Sequence, residues 1–418
     1  MRGESSVDVA IVGAGAAGLA AARAAGERGL SYVLFEAMER IGGRAHTDFD
    51  TFDVPWDRGC HWLHSASINP MRELADCYGF RYFKESPRFR HHMDDRFSTE
   101  AKSNQVREYV EACWERIVAA GAAGRDVPLS DLVDETHPWN AVLRSSVAGE
   151  WGVPPEDAST LDSAAYVDTD ENWPLQDGYG ALVARHAEGI PVELSTPVRR
   201  IEWGGPRVRV VTVAGTVEAG AVIVTVSTKV MQDGVIAFDP PLPAWKRDAC
   251  DAIQLGNANK VSFAIDGHHL GVDGHSSLWV KVTERQGMFF QLRPFGRDMA
   301  NGYLAGELGA EAEREGPRAM LDLGRTALKT AFGSDIVKQI GVSARSTWQS
   351  EPWIRGAYGA ARPGQAHRRK DLATPIDDWL LFAGEAVSPD FFSTCHGAHL
   401  TGIAAVEQVA RVLAPSRA

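Results

Sequence analysis

Cysteine is scarce and scattered. Five occur, at Cys60, Cys77, Cys113, Cys250 and Cys395, and an odd number with no CxxC spacing argues against a disulfide framework or a zinc site. Long apolar runs are also missing. No stretch approaches the ~20 consecutive apolar residues of a membrane-spanning helix. Residues 1–8 hold no apolar segment of the signal-peptide kind, and residues 415–418 carry no hydrophobic tail or peroxisomal signal. The expectation is a cytoplasmic protein with no membrane partner. Positive charge is in deficit: 43 Lys and Arg against 55 Asp and Glu leave a formal charge of −12. Such a surface repels nucleic-acid phosphate and suits cationic small molecules. Histidines at metal-binding spacing are absent. His91-His92 and His268-His269 are neighbours in sequence whose side chains diverge, so solvated loops without a metal are expected. There is no internal repeat and no low-complexity linker. A chain of 418 residues exceeds one ordinary core, and two domains are expected.

What is present begins near the amino end. Residues 7–12 are an apolar run ending in glycine, 16–28 are alanine-rich, and 32–35 are apolar again and end at Glu36. This order of strand, helix and strand is a βαβ unit. Gly13, Gly15 and Gly18 sit between the first strand and the helix in GxGxxG spacing. Gly13 permits the tight turn, Gly15 lets backbone approach a pyrophosphate, and Gly18 lets helix pack on strand. Ala16 and Ala17 open the helix, where unpaired N–H groups and the positive dipole end meet phosphate. Glu36 stands where a carboxylate accepts hydrogen bonds from ribose hydroxyls and repels a 2′-phosphate. No second GxGxxG occurs, which argues against a nicotinamide-dependent dehydrogenase.

Further along, Val106, Val110, Cys113 and Ile117 share one helix face. Loops and short helices are expected over 121–177, strands over 208–213, 221–226, 261–265 and 379–383, and helices over 321–332 and 397–413.

Just past Glu36 come Ala37, Arg40, Gly42, Gly43 and Arg44. Residues 7–44 as a whole resemble the flavin amine oxidase superfamily, which includes monoamine oxidases, polyamine oxidases, L-amino-acid oxidases and the flavin histone demethylases. The likeness continues in blocks over nearly the whole chain. Thr196-Pro197-Val198 resembles the segment whose valine contacts the adenine. Phe382-Ala383-Gly384-Glu385 resembles the late segment whose glutamate holds the ribityl chain. The resemblance implies FAD, and it implies a fold. An α/β, Rossmann-type FAD-binding domain of the glutathione-reductase-like kind would be assembled from 1–75, 181–250 and 350–418. An α+β substrate domain, a mixed sheet flanked by helices, would be inserted as 76–180 and 251–349. Gly59, Cys60, His61, Trp62, Trp353 and Thr394 join the glycines, Glu36 and Arg44 as cofactor candidates.

Four blocks concern the chemistry. Gly59-Cys60-His61-Trp62-Leu63-His64 resembles the polyamine-oxidase form, in which a tryptophan and a histidine line the cavity; His64 is a group able to bind or deprotonate an ammonium. Lys260 opens an apolar strand, a costly place for a lysine without a role or partner. It matches the family lysine that holds a water beside flavin N5. Tyr358 matches an aromatic wall whose π-face guides an amine, and Ala357 stands where monoamine oxidases carry the flavin-linking cysteine, which implies non-covalent FAD. Thr394, in Ser393-Thr394-Cys395-His396-Gly397-Ala398, opens the last helix as a cap and stands where monoamine oxidases place a second tyrosine. That helix start would stabilise reduced flavin. Cys395 and His396, being adjacent, do not face each other. The acidic stretch Asp168, Asp170 and Glu171 could receive a distal ammonium, although a solvated loop is the expectation.

The resemblance therefore implies hydride transfer from the amine α-carbon to flavin N5, imine hydrolysis to aldehyde or ketone, and reoxidation by O2 to hydrogen peroxide. The catalytic candidates are Lys260, His64, Tyr358, Trp62 and Thr394; the partners are a small-molecule amine and O2. Two alternatives share the motifs: a flavin oxidase or desaturase of a non-amine substrate, and a catalytically silent FAD-binding regulator.

Overall fold

The computed structural model describes residues 6–84, 88–93, 96–265, 270–272 and 274–413. His268-His269, residues 1–5 and residues 414–418 fall outside the described residues.

Two large sheets organise the fold. In the first, the strand Ser6–Val12 runs parallel to Tyr32–Phe35 on one side and to Gly215–Val224 on the other, with Val12 opposite both Phe35 and Val224. Val9, Ala10 and Ile11 are fully buried, as a strand covered on both faces requires. Leu380–Phe382 also runs parallel to Gly215–Val224. Val208–Thr212, Val198–Glu202 and Ala237–Asp239 extend the sheet to seven strands. The helix Ala16–Glu27 follows the first strand and packs on the closing helix Cys395–Leu413. Small residues bring those helices close: a Cβ on Gly402 would meet the Ala17 carbonyl oxygen at 2.1 Å.

The second sheet is mixed, in the order Ile340–Arg345, Ala258–Ile265, Met299–Ala305, Gly287–Leu292, Ser276–Lys281, Arg88–Met93 and Arg96–Phe97. Its pairs are antiparallel except Ser276–Lys281 with Arg88–Met93. The helix Pro317–Phe332 lies on one face, where Gly324 abuts the Phe263 ring. The helix Glu100–Ala122 buries Val106, Cys113 and Ile117, with Val110 partly buried on the same face. A short antiparallel pair, Ile253–Leu255 with Gly359–Ala361, runs into the strand that carries Lys260.

One expectation is corrected. His91 and His92 are not solvated loop residues; they lie in Arg88–Met93 and are 3% and 4% exposed. The strand docks in parallel beside Ser276–Lys281, which sets the His91 ring 6.3 Å from Trp279, and its antiparallel pairing with Arg96–Phe97 sets the His92 ring 5.2 Å from Phe97. Burial pulls His91 down to about 4, so it is neutral at ordinary pH. The polar run RFRHHM carries no apolar face of its own, so its neighbours, the flanking strands and the helix Glu100–Ala122, supply the burial. Among the described residues, no helix is long and apolar enough to cross a membrane.

Candidate active site

A cavity of about 550 Å³ runs between the two sheets. Its first end is built from the βαβ turn. Gly13 has φ +102°, and a Cβ there would lie 2.7 Å from the Thr225 hydroxyl. Gly18 does not line the cavity; its Cβ would meet the Gly13 carbonyl oxygen at 1.8 Å, so its role is close packing of helix on turn. Gly15 caps the helix Ala16–Glu27 with no side-chain acceptor, and Gly15, Ala16 and Ala17 all line the cavity. An uncapped helix start facing open space, beside glycines that admit close approach, fits a dinucleotide pyrophosphate. Glu36 is buried, and its carboxylate accepts from the backbone N–H groups of Ala14 at 2.7 Å and Met38 at 2.9 Å. Burial nevertheless raises its pKa.

Ala37, Gly43, Val198, Trp353, Gly384 and Glu385 line the same cavity. Arg40 does not; it donates to the Ile41 and Gly43 carbonyls at 3.2 and 2.9 Å and so fixes the loop. Arg44 pairs with Glu385 at 2.9 Å and also donates to the Ala357 carbonyl. Glu385 accepts in addition from the N–H groups of Gly359 at 3.0 Å and Ser393 at 3.1 Å. Three segments distant in sequence thus meet on one carboxylate. Thr394 Oγ1 accepts from Gly397 N–H at 3.0 Å, capping the closing helix at the cavity wall.

The other part of the cavity holds Gly59, Cys60, His61, Trp62, His64, Lys260 and Tyr358. Lys260 is 7% exposed, and its Nζ donates to the carbonyls of Asp57 and Gly59, each at 2.8 Å. Burial pulls its ammonium down to about 8, against the raising effect of Asp57. His64 Nδ1 lies 2.6 Å from Asn172 Oδ1. Asn172 arrives there because Trp62–Leu63 pairs with Trp173–Pro174. Burial lowers the His64 pKa and favours the neutral ring. Tyr358 donates its hydroxyl to the Gly149 carbonyl, and burial raises its pKa.

Several cavity groups have no clear signal in the sequence. Tyr303 stands opposite Lys260 in the antiparallel register, its ring 5.8 Å from Nζ and its hydroxyl donating to Gln291 at 2.7 Å. Glu150 lines the cavity near Asp168, and burial, then Asp168, raises it to about 7. Asp168 lines the cavity as well, whereas Asp170 and Glu171 do not; Glu171 instead accepts from Ser67 N–H at 3.2 Å. Asp57 is behind the wall. Its buried carboxylate takes His61 Nδ1 at 3.1 Å, Thr47 Oγ1 at 2.6 Å and Tyr179 N–H at 2.9 Å. Burial opposes ionisation, but the His61 hydrogen bond leads the interactions that hold the acid below its usual range.

Comparison with known proteins agrees with this geometry. The family model for flavin-containing amine oxidoreductases matches residues 16–159 and 153–410. A polyamine oxidase of Oryza sativa subsp. japonica, polyamine oxidase 4, is 28% identical, covering 97% of this chain and 88% of that protein. The lysine-specific histone demethylase 2 of Homo sapiens is 26% identical over 96% of this chain but only 53% of its own length. A structure of wild-type putrescine oxidase bound to putrescine shares the fold, with a TM-score of 0.78 at 24% identity, covering 98% of this chain and 99% of that one. The chain belongs to the flavin-containing amine oxidoreductase family and is an FAD-dependent amine oxidase.

Proposed function

We propose that this enzyme oxidises the carbon next to the nitrogen of a polyamine- or monoamine-type substrate, with O2 as acceptor and hydrogen peroxide as product. One observation carries the reading. A single cavity holds an uncapped helix start beside Gly13 and Gly15, and also Trp62, His64, Lys260 and Tyr358. FAD, when bound, supplies the acceptor for the C–H electron pair. We assign residues 1–75, 181–250 and 350–418 to a Rossmann-type, glutathione-reductase-like FAD domain, and 76–180 and 251–349 to the inserted substrate domain. We further assign the pyrophosphate to Gly13–Ala17 and Gly43, the adenosine part to Glu36, Ala37 and Val198, and the ribityl part to Gly384 and Glu385. Ala357 offers no thiol for a covalent link, so FAD is held non-covalently.

On the substrate side, the chain's own groups bind, orient and exclude water. With Nδ1–H donated to Asn172, the His64 tautomer leaves Nε2 as an acceptor for an amine N–H. Lys260 uses two of its three donors on carbonyls, which leaves one for a water. Trp62, Tyr303 and Tyr358 wall the space with π-faces suited to a cationic or neutral amine. Glu150 and Asp168 give the cavity two carboxylates, which favours a substrate with a second ammonium. The similar putrescine oxidase is seen with putrescine, and that diamine has this character.

The test is a visible flavin spectrum of the purified protein followed by a peroxide screen over putrescine, spermidine, benzylamine and an N-methyl-lysine peptide. A yellow protein that releases peroxide with amines is expected. If benzylamine turns over far better than spermidine, the polyamine assignment fails. A flavin-loaded protein that yields no peroxide with any amine overturns the oxidase reading altogether.

A further inference from the structure

We propose that Glu313, which stands behind the cavity wall, positions Lys260 for the oxidation through Asn259 and Ser346. Glu313 has this part only insofar as Lys260 has the role proposed above. Lys260 lies one residue beyond the last paired position between its strand and Ile340–Arg345, where Val261 is opposite Arg345. There one residue holds its backbone. Ser346 N–H donates to the Lys260 carbonyl at 3.0 Å, and the Lys260 N–H donates to Ser346 Oγ at 2.9 Å, a side chain where a ladder would supply a carbonyl. The Ser346 hydroxyl is aimed in turn by donating to Asn259 Oδ1 at 3.2 Å, which also accepts Trp348 N–H at 3.0 Å. A peptide N–H can only donate, so that oxygen is fixed and Asn259 Nδ2 points the other way. It donates to Glu313 Oε2 at 2.6 Å.

Glu313 takes two further donors, Asn257 Nδ2 at 3.0 Å on the same oxygen and Ser350 N–H at 2.7 Å on Oε1. Glu313, Asn257, Asn259 and Ser346 are all buried. The helix Gly306–Glu315 can bring the carboxylate in because Gly309, one turn earlier on the same face, is bare; a Cβ there would lie 2.5 Å from Asn257 Oδ1. The contacts close on themselves at the cavity. Trp348 lines it, and its indole lies so near Gly59 that a Cβ on Gly59 would meet Cζ2 at 3.0 Å. The Gly59 carbonyl is one of the two that hold Lys260 Nζ. One carboxylate thus reaches both ends of Lys260, the backbone through Ser346 and the ammonium through Trp348 and Gly59. Glutamine has nearly the same shape but offers an NH2 group where Glu313 meets only donors. Asn259 cannot turn over to accept from it while Trp348 N–H claims Oδ1. A small misplacement of a group at the reacting centre lowers the rate without loosening a cofactor held elsewhere.

The experiment follows flavin reduction and reoxidation by stopped-flow absorbance in the FAD-loaded protein and in Glu313→Gln, Lys260→Met and the double variant. Glu313→Gln should slow, by up to about tenfold, the same half-reaction that Lys260→Met slows, with FAD occupancy and the dissociation constant of the amine unchanged. The double variant should be no slower than Lys260→Met alone, because Glu313 acts only through that lysine. Ser346→Ala carries the same test should Glu313→Gln fail to fold. It removes one hydroxyl, leaves the three donors on Glu313 in place, and should likewise slow that half-reaction and add nothing in Lys260→Met. A merely structural part for Glu313 would give losses that multiply in the double variant or fall on the other half-reaction, and either result overturns the proposal. So does Glu313→Gln or Ser346→Ala at the unsubstituted rate while Lys260→Met is slow, a result that leaves the role of Lys260 standing. If Lys260→Met itself turns over at the unsubstituted rate, the role given to Lys260 falls and that of Glu313 falls with it.

Discussion

Lys260 is tightly constrained: buried, pulled down to about 8, and held by two carbonyls. Methionine has the length but no donor, so Lys260→Met removes the N–H proposed to hold a water and leaves the Asp57 and Gly59 carbonyls without their partner. FAD content should persist, because the residues proposed to hold phosphate and ribose lie elsewhere in the cavity. Flavin reduction or reoxidation should slow by about tenfold or more, equivalent to ~1.4 kcal/mol in the barrier, and stopped-flow absorbance measures both half-reactions. Unchanged rates would remove Lys260 from the mechanism. Glu150 gives a prediction in pH. Its pKa is raised to about 7, so it is neutral below that pH and anionic above it. The ratio of kcat/KM for a diamine to that for a monoamine of similar size should therefore rise as pH climbs through 7. Using the ratio cancels the deprotonation common to both amines. In Glu150→Gln the ratio should be lower and flat across the same range.

At the scale of elements, close approach decides what can change. Gly402 lies against the Ala17 carbonyl, where a Cβ would come within 2.1 Å. Gly402→Ala must push the closing helix off the helix Ala16–Glu27, an overpacking error of roughly 1–3 kcal/mol. Since Ala17 also lines the cavity, thermal unfolding should fall in both apo and FAD-loaded protein, with FAD affinity reduced too; an unshifted transition would refute the contact. These same elements were legible in the sequence, since the glycine spacing, the alanine-rich stretch and the apolar run at 32–35 each report local backbone needs. The rest depended on partners. Tyr303 reaches the cavity only through the register that sets it opposite Lys260, and a one-residue slip would turn it to the other face. Glu150 is one charge at the end of the helix Asn140–Trp151, and Arg88–Met93 becomes a buried strand only by docking on its neighbours. None of these has a local pattern, so only the assembled chain reveals them.

Over the whole molecule, the question is what keeps the two sheets in the register that the cavity needs. A buried ion pair joins the helices Thr160–Ala165 and Arg368–Ala373 beside the cavity wall. Asp162, in the helix Thr160–Ala165, receives Arg369 Nε at 3.0 Å and Nη2 at 2.5 Å, while its carboxylate also takes Ala361 N–H at 2.9 Å. Arg369, in Arg368–Ala373, donates further to the Ala386 carbonyl at 2.7 Å and lies 3.9 Å from the Phe392 ring centre. The backbone so anchored adjoins Tyr358, just before the strand Gly359–Ala361, and Glu385, in the 3-10 turn Glu385–Val387, both cavity residues. Asp162→Ala leaves a guanidinium buried and unpaired, which costs about 3–5 kcal/mol, whereas replacing both partners by apolar residues of similar size is often near neutral. Asp162→Ala should therefore unfold at markedly lower denaturant and lose FAD, while Asp162→Leu with Arg369→Met should regain most of the stability. The double variant separates the pair's two possible contributions. If it is stable but still binds FAD poorly, the pair sets the position of Tyr358 and Glu385; if stability and FAD return together, apolar packing alone holds the sheets in register. Equal loss in the single and double variants would mean that the Ala361 N–H, orphaned in both, carries the cost rather than the unpaired charge.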